Sequence, residues 1–255
     1  MRLGSTRARR RRRALAQPFP EAWRDLLRRR WALWPALTDD ERQRLEPLVQ
    51  VFIADKRWEG SRRFAVTEEM QVLIAAQACL LVLEMDHDPY HGIGTIIVHP
   101  STIVLHGPRA TGTAGVMADG PYPILGQAHH RGPVLISWDA AVAGARHPER
   151  GHNIVFHEFA HKLDMLDGTV DGTPPLSDTA TLQRWVDVCT REYHALRAGL
   201  GGPLLSDYAA TNPGEFFAVA TEVFFTRPVE LREDKPMLYG VLAAFYRQEP
   251  AARVA

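Results

Sequence analysis

Cysteine is nearly absent: the 255 residues hold two, Cys79 and Cys189, and no C-x-x-C pair. Neither a disulfide framework nor a cysteine zinc site is indicated, and a reducing cytoplasm is the simpler home. Long apolar runs are also missing. The longest, Val72 to Leu83, falls short of the roughly 20 residues that span a bilayer. There is no excess of charge of either sign. With 30 basic and 30 acidic residues the formal net charge is +0, so global charge points to neither direct nucleic-acid binding nor a membrane surface. No secretory leader is legible: Arg7 and the run Arg9 to Arg13 are followed only by Ala14, Leu15 and Ala16 before Pro18, without an apolar core region. Residues 1–17 therefore read as a basic, disordered tail, with weak anchoring to an anionic surface as the less ordinary role. No repeat or linker divides the rest, so 18–255 reads as one domain long enough for a sizeable core. A hydrophobic content of 45% and a charged content of 24% are those of an ordinary globular protein.

The informative stretch is Asn153-Ile154-Val155-Phe156-His157-Glu158-Phe159-Ala160-His161-Lys162-Leu163-Asp164, which contains H-E-x-x-H. On a helix, residues four apart share a face, so His157 and His161 offer two imidazole nitrogens to one metal ion. Glu158 lies about 60° round the helix from His161, within reach of a water on that metal. Catalytic zinc takes three protein ligands plus water, and His2Glu is one such set. The metal acidifies the water and the carboxylate takes its proton, which is the chemistry of carbonyl hydrolysis. From the composition (11 His and 15 Glu), about 0.03 matches are expected by chance. A solvated helix face, with Glu158 and Lys162 as an i,i+4 pair, is the plain alternative. The apolar flanks Ile154, Val155, Phe156, Phe159, Ala160 and Leu163 argue against it, because buried imidazoles and carboxylates need partners.

Elsewhere, Glu21 to Trp34 has Trp23, Leu26, Leu27, Trp31 and Trp34 at helical spacing around Arg28 to Arg30. A basic aromatic helix of this kind can touch phosphates, but packing its tryptophans on the domain is the ordinary role. Thr38 and Glu41 form a capping box for a helix to about Lys56, and Pro47 predicts a kink or a later start. Thr67 opens a core helix to Glu84. Thr95 to Val98, Thr102 to Leu105 and Gly132 to Trp138 read as strands. The last of these suits an edge that receives an extended peptide as well as a purely structural role. The Gly- and Pro-rich segment 107–132 reads as a long loop of the kind that is often functional or mobile; its His129 and His130 lack a fixed ligand spacing. The metal helix runs from about Gly151 to Leu166 and stops at Gly168. Leu182 to Leu196 and Met237 to Phe245 are further helices.

Two histidines require a third ligand. Asn212 caps a helix with Pro213 at its first position and Arg227-Pro228 at its end. Its interior is apolar except for Glu215 and Glu222, which lie within about 20° of each other on one face. Glu215 also sits where a capping-box carboxylate would. From the residues alone the two are rivals for the metal, and the loser is a candidate to orient a ligand histidine. Asp164, seven residues from His157, is a further candidate for that role or a solvent-facing residue. Tyr208, seven residues before Glu215, is either a core tyrosine or a phenol that stabilises an oxyanion.

His157-Glu158-Phe159-Ala160-His161-Lys162-Leu163-Asp164, Tyr208-Ala209-Ala210 and Asn212-Pro213-Gly214-Glu215-Phe216-Phe217-Ala218-Val219, with Gly132-Pro133-Val134-Leu135 before Trp138, resemble the Mlc titration factor A family of bacterial zinc peptidases. The resemblance covers about Leu26 to about Pro250. A more distant similarity is to the catalytic domain of anthrax lethal factor, which shares H-E-F-x-H-x-x-D and a Tyr seven residues before a Glu-Phe-Phe-Ala segment. The resemblance implies zinc on His157, His161 and Glu215, with Glu158 as general base and Tyr208 at the oxyanion. It implies a cytoplasmic peptidase with aminopeptidase-type activity, and binding of the glucose-responsive repressor Mlc as in enterobacterial members. The Arg run departs from the family pattern. The chain also stops soon after its last helix where some relatives continue, which bears on repressor binding and leaves the zinc site untouched.

The expected fold is α+β and zincin-like, with a small mixed sheet, a helical N-terminal part over about 18–90 and a catalytic part over about 91–255. The expected cofactor is one Zn2+, and the expected partners are a peptide or protein substrate and a Mlc-like repressor. A regulator that sequesters a transcription factor around a structural zinc is the rival reading. A hydrolase of non-peptide amides would use the same site.

Overall fold

The computed structural model describes residues 3–61, 64–101, 104–105, 109–110, 117–118, 122–123 and 132–253. It is mostly helical with a small parallel sheet, an α+β arrangement. The helices are α1 (Leu3–Leu15), α2 (Glu21–Arg30), α3 (Asp39–Asp55), α4 (Glu68–Leu81), α5 (Trp138–Arg146), α6 (Ile154–Asp164), α7 (Thr179–Arg197), α8 (Pro213–Thr226), α9 (Pro228–Asp234) and α10 (Pro236–Tyr246). The strands are β1 (Arg57–Gly60), β2 (Thr95–His99), β3 (Val104–Leu105), β4 (Arg109–Ala110), β5 (Met117–Ala118), β6 (Tyr122–Pro123) and β7 (Val134–Ser137).

The three-stranded sheet runs β1-β2-β7 and is parallel throughout, not mixed, with Arg57 opposite Thr95 and Ile96 opposite Val134. The cause is the connections: each pair of strands is joined by a long crossover rather than a hairpin, which brings the next strand back in the same direction. Alternate residues Ile96, Val98, Val134 and Ile136 are buried, as the two-residue period of a half-buried sheet requires. β3 pairs with β6 and β4 with β5 in two-residue antiparallel ladders. Most of the 107–132 segment, including His129 and His130, and residues 102 and 103 of the expected second strand lie outside the described residues.

Helix starts follow local chemistry. The Thr38 hydroxyl accepts from the Glu41 backbone N–H at 3.2 Å while the Glu41 carboxylate accepts from the Thr38 N–H at 2.8 Å, a complete capping box. Pro47 lies inside α3, which starts at Asp39 as one continuous helix. Arg24, Arg28 and Arg30 of α2 are engaged by the chain's own acids, Glu46, Asp25 and Glu69 respectively, and Trp31 and Trp34 are buried. This helix packs its aromatic side on the core instead of presenting it to phosphates. α4 is buried from Val72 to Leu81 and lies against α2, α3, α5 and α6; it is the central helix of the domain.

The expectation of a disordered tail over residues 1–17 is corrected. Leu3–Leu15 form α1, which lies along α3. Arg7 and Arg11, one helical turn apart, both pair with Asp55, whose side chain is 1% exposed, and both reach Asp88. A buried carboxylate requires such partners, and they dock a helix whose composition alone suggests a solvated coil. Other missed elements are the short helices α5 and α9 and the strand β1; the last of these shows why. It is a short edge strand of polar sequence, Arg57-Trp58-Glu59-Gly60, that follows α3 after one residue and lacks an apolar alternation. No helix among the described residues is long and apolar enough to cross a membrane.

Candidate metal centre

The site begins at the N-terminus of α6. Asn153 is its cap: the side-chain oxygen accepts from the backbone N–H groups of Val155 and Phe156, each at 3.1 Å, satisfying two of the donors a helix start leaves open. Gly144 of α5 permits this placement, since a Cβ there would stand 2.9 Å from the Asn153 Cα. α6 is buried from Val155 to Asp164. On its inner face the rings of His157 and His161 stand 4.8 Å apart, nearly perpendicular, with their Nε2 atoms separated by 3.2 Å.

The third group comes from α8, which packs against α6. Its cap, Asn212, accepts from the Glu215 N–H at 3.0 Å, which fixes the first turn and aims the Glu215 side chain at the histidines. Glu215 Oε2 lies 3.1 Å from His157 Nε2 and 3.3 Å from His161 Nε2. Glu222, two turns further on, faces the other side of His157: its Oε1 is 2.8 Å from Nδ1, and its Oε2 accepts from the Asn153 N–H. The two carboxylates that sequence leaves as rivals thus occupy different places, Glu215 beside both Nε2 atoms and Glu222 behind one imidazole.

The electrostatics follow from this crowding. Burial pushes the Glu215 carboxyl up, but the two imidazoles more than offset it and hold it at about 2. Burial opposes charge on His157, yet Glu215 on one nitrogen and Glu222 on the other raise it well above the usual imidazole range. Glu158, also buried, is raised by its burial against the lowering pull of His157 and His161. Lys162 is buried and donates to the Gly132 carbonyl at 3.2 Å, and burial lowers its ammonium. Asp164 accepts from the Gly172 N–H at 3.1 Å and bonds neither ligand histidine, and burial raises its carboxyl to about 6. Tyr208, half-buried on a 3-10 turn before α8, places its ring 6.1 Å from that of His157.

His157, His161 and Glu215 are a set able to hold a metal ion. The fit is quantitative. Three N and O ligands at about 2.0–2.1 Å from one tetrahedral ion stand about 3.3 Å apart; the edges here are 3.1, 3.2 and 3.3 Å. Glu215 Oε2 is buried without a well-aligned hydrogen bond, although two nitrogens are close by. A buried acceptor in that position fits a coordinated cation. Two imidazoles and one carboxylate suit zinc and neighbouring divalent transition metals.

Sequence reasoning missed two supporting residues. Asn153 was legible as a polar cap before an apolar run. Gln77, at 0% exposure in α4, was legible only as the one polar residue within the apolar stretch Val72–Leu81 of that helix.

A buried pair of histidines one turn apart, a carboxylate from a second helix and a further buried glutamate are residue types from which metal-dependent hydrolases build such sites. Comparison with known proteins agrees. The family described as glucose-regulated metallo-peptidase M90 matches residues 5–247. An uncharacterized protein of Synechocystis sp. is 36% identical over 239 residues, covering 92% of this chain and 86% of its own. Mlc titration factor A of Edwardsiella ictaluri is 34% identical over 232 residues, covering 87% and 86%. The protein of that name from Serratia proteamaculans is 31% identical over 246 residues, covering 91% and 88%. The chain belongs to the M90 metallopeptidase family.

Proposed function

We propose that the protein is a zinc-dependent peptidase with a zincin-like catalytic arrangement, in which His157, His161 and Glu215 hold one Zn2+. The observation that carries this reading is the near-equilateral triangle of Nε2, Nε2 and Oε2 atoms with edges of 3.1 to 3.3 Å, beside the buried Glu158. Zinc, when bound, supplies Lewis acidity and lowers the pKa of water. Glu158 receives the proton of the attacking water and passes it to the departing amine; its burial, which raises its carboxyl, suits a group that must both take and give a proton. Glu222 orients His157, and Tyr208, whose ring lies 6.1 Å from that of His157, is assigned to the developing oxyanion. Asp164, through Gly172, holds the turn that follows α6.

The natural class of substrate is a peptide, with trimming of N-termini as the expected mode and the cytoplasm as the expected compartment. The test is hydrolysis of a mixed peptide library by the zinc-loaded protein, with Glu158→Gln alongside. Cleavage by the wild type alone, at positions that reveal end-trimming or internal cutting, supports the reading. Equal rates in both proteins overturn the role of Glu158.

The relatives' name, Mlc titration factor A, supports a second role, binding of a glucose-responsive repressor. Zinc bound by both proteins with cleavage by neither, together with capture of a purified repressor of that type, would make the chain a regulator rather than a peptidase.

A further inference from the structure

We propose that Gln77, on the central helix α4, is a positioning residue of the metal centre and acts on His157 through Asn153 and Glu222. The inference rests on the ligand assignment above and concerns how the chain holds one of those ligands.

The four residues form one buried chain of hydrogen bonds. Gln77 Nε2 donates to the Leu73 carbonyl at 3.0 Å, and Asn153 Nδ2 donates to Gln77 Oε1 at 2.8 Å. The Asn153 backbone N–H donates to Glu222 Oε2. Glu222 Oε1 meets His157 Nδ1 at 2.8 Å. Relative exposures are 0% for Gln77, 1% for Asn153, 5% for Glu222 and 4% for His157, so water does not substitute for a missing partner.

The amide orientations are dictated at both ends. Asn153 Oδ1 must accept, because it faces two backbone N–H groups of α6. Its Nδ2 therefore points the other way and needs an acceptor. Gln77 supplies Oε1, which leaves its own Nε2 facing the Leu73 carbonyl, an acceptor only. Neither amide can flip without setting donor against donor. With Asn153 locked, its backbone N–H holds one Glu222 oxygen, and the other oxygen can only accept. His157 Nδ1 must then carry a proton, so that when the ring is neutral the lone pair is on Nε2, toward His161 and Glu215. That is the tautomer a metal ligand requires. A residue on a separate helix thus braces the cap residue whose backbone N–H holds the Glu222 carboxylate against His157 Nδ1.

The test compares wild type, Gln77→Met, which keeps length and volume but loses both polar groups, and Gln77→Glu, which in its neutral acid form restores donor and acceptor. Val72→Ala, at a fully buried position of the same helix, controls for loss of core packing. Two readouts are used: zinc affinity by chelator competition, and 15N–1H NMR of the His157 ring in metal-free protein. Removing an outer partner of a ligand histidine costs about 10- to 100-fold in affinity, and Gln77→Met is expected at about 10-fold, with faster exchange of the Nδ1 proton. Gln77→Glu recovers both, and Val72→Ala lowers Tm but changes neither. Affinity within about twofold of wild type and an unaltered Nδ1–H signal in Gln77→Met would overturn the proposal. The ring signal is read without metal. Should wild type fail to bind zinc while Gln77→Met still loses the Nδ1–H signal, the zinc assignment falls and the positioning role stands.

Discussion

Replacing Glu222 with glutamine changes one oxygen to an NH2 group and leaves the shape of the side chain intact. Two donors converge on this carboxylate, the Asn153 backbone N–H and His157 Nδ1–H, the latter at 2.8 Å. An amide has only one oxygen to offer them. If that oxygen serves Asn153, the NH2 faces His157 and forces its proton from Nδ1 to Nε2, where it blocks the metal. If it serves His157, the Asn153 N–H is left buried against a donor. Such a group costs about 1–3 kcal/mol, and at about 1.4 kcal/mol per factor of ten this is about a 5- to 140-fold loss of zinc affinity. Metal-free Glu222→Gln escapes the unsatisfied-donor penalty by adopting the blocking tautomer, so that cost appears on binding. Chelator competition measures the affinity, and the 15N shifts of His157 separate the two tautomers. Zinc affinity within about twofold of wild type, with Nδ1 still protonated, would refute the reasoning.

Three further outcomes are expected. Glu215→Ala removes a ligand, and bound zinc by elemental analysis falls to near zero, whereas Glu222→Ala keeps a measurable fraction; the reverse order would exchange the roles of the two carboxylates. The double substitution Arg7→Ala with Arg11→Ala removes the arginine partners of the buried Asp55; α1 then undocks to hydrate the carboxylate, lowering stability by about 1–3 kcal/mol in urea titration, and an unchanged midpoint would show that α1 contributes nothing. Cys79 is fully buried and burial pushes its thiol far above the ordinary range. Iodoacetamide at pH 8 should leave it unmodified in native protein and label it after unfolding, and rapid labelling of Cys79 in the native chain, located by peptide mapping, would contradict its placement.

Much of this molecule is legible in local sequence because the responsible interactions are local. The Thr38–Glu41 box, Pro213 after Asn212 and the His157–His161 spacing are all decided within four residues. The division of labour between Glu215 and Glu222 is not local. Both lie on one face of α8, and only the crossing of α8 over α6 sets one beside the Nε2 atoms and the other behind His157. Helix α1 was hidden for a similar reason. A run of arginines reads as solvated until Asp55 and Asp88, more than forty residues away, are brought beneath it. β1 is concealed by its polar edge-strand composition, and the parallel direction of the sheet depends on crossovers that no strand sequence records.

The metal centre draws on parts of the chain that are made at different times. His157 and His161 need only one helical turn between them, but Glu215 lies 54 residues beyond His161 (215 − 161), and Gln77 precedes Asn153 by 76. Contacts of such separation form late, because the intervening chain must first be ordered. A nascent or partly folded chain can offer an ion two imidazoles, while the full ligand set exists only once α4, α6 and α8 have docked. On the proposed ligand assignment, tight metal capture is a property of the completed core, and ion binding adds its stabilisation to the native state alone. The rate at which the chain acquires metal during refolding should follow the docking of α8 on α6 rather than the formation of either helix.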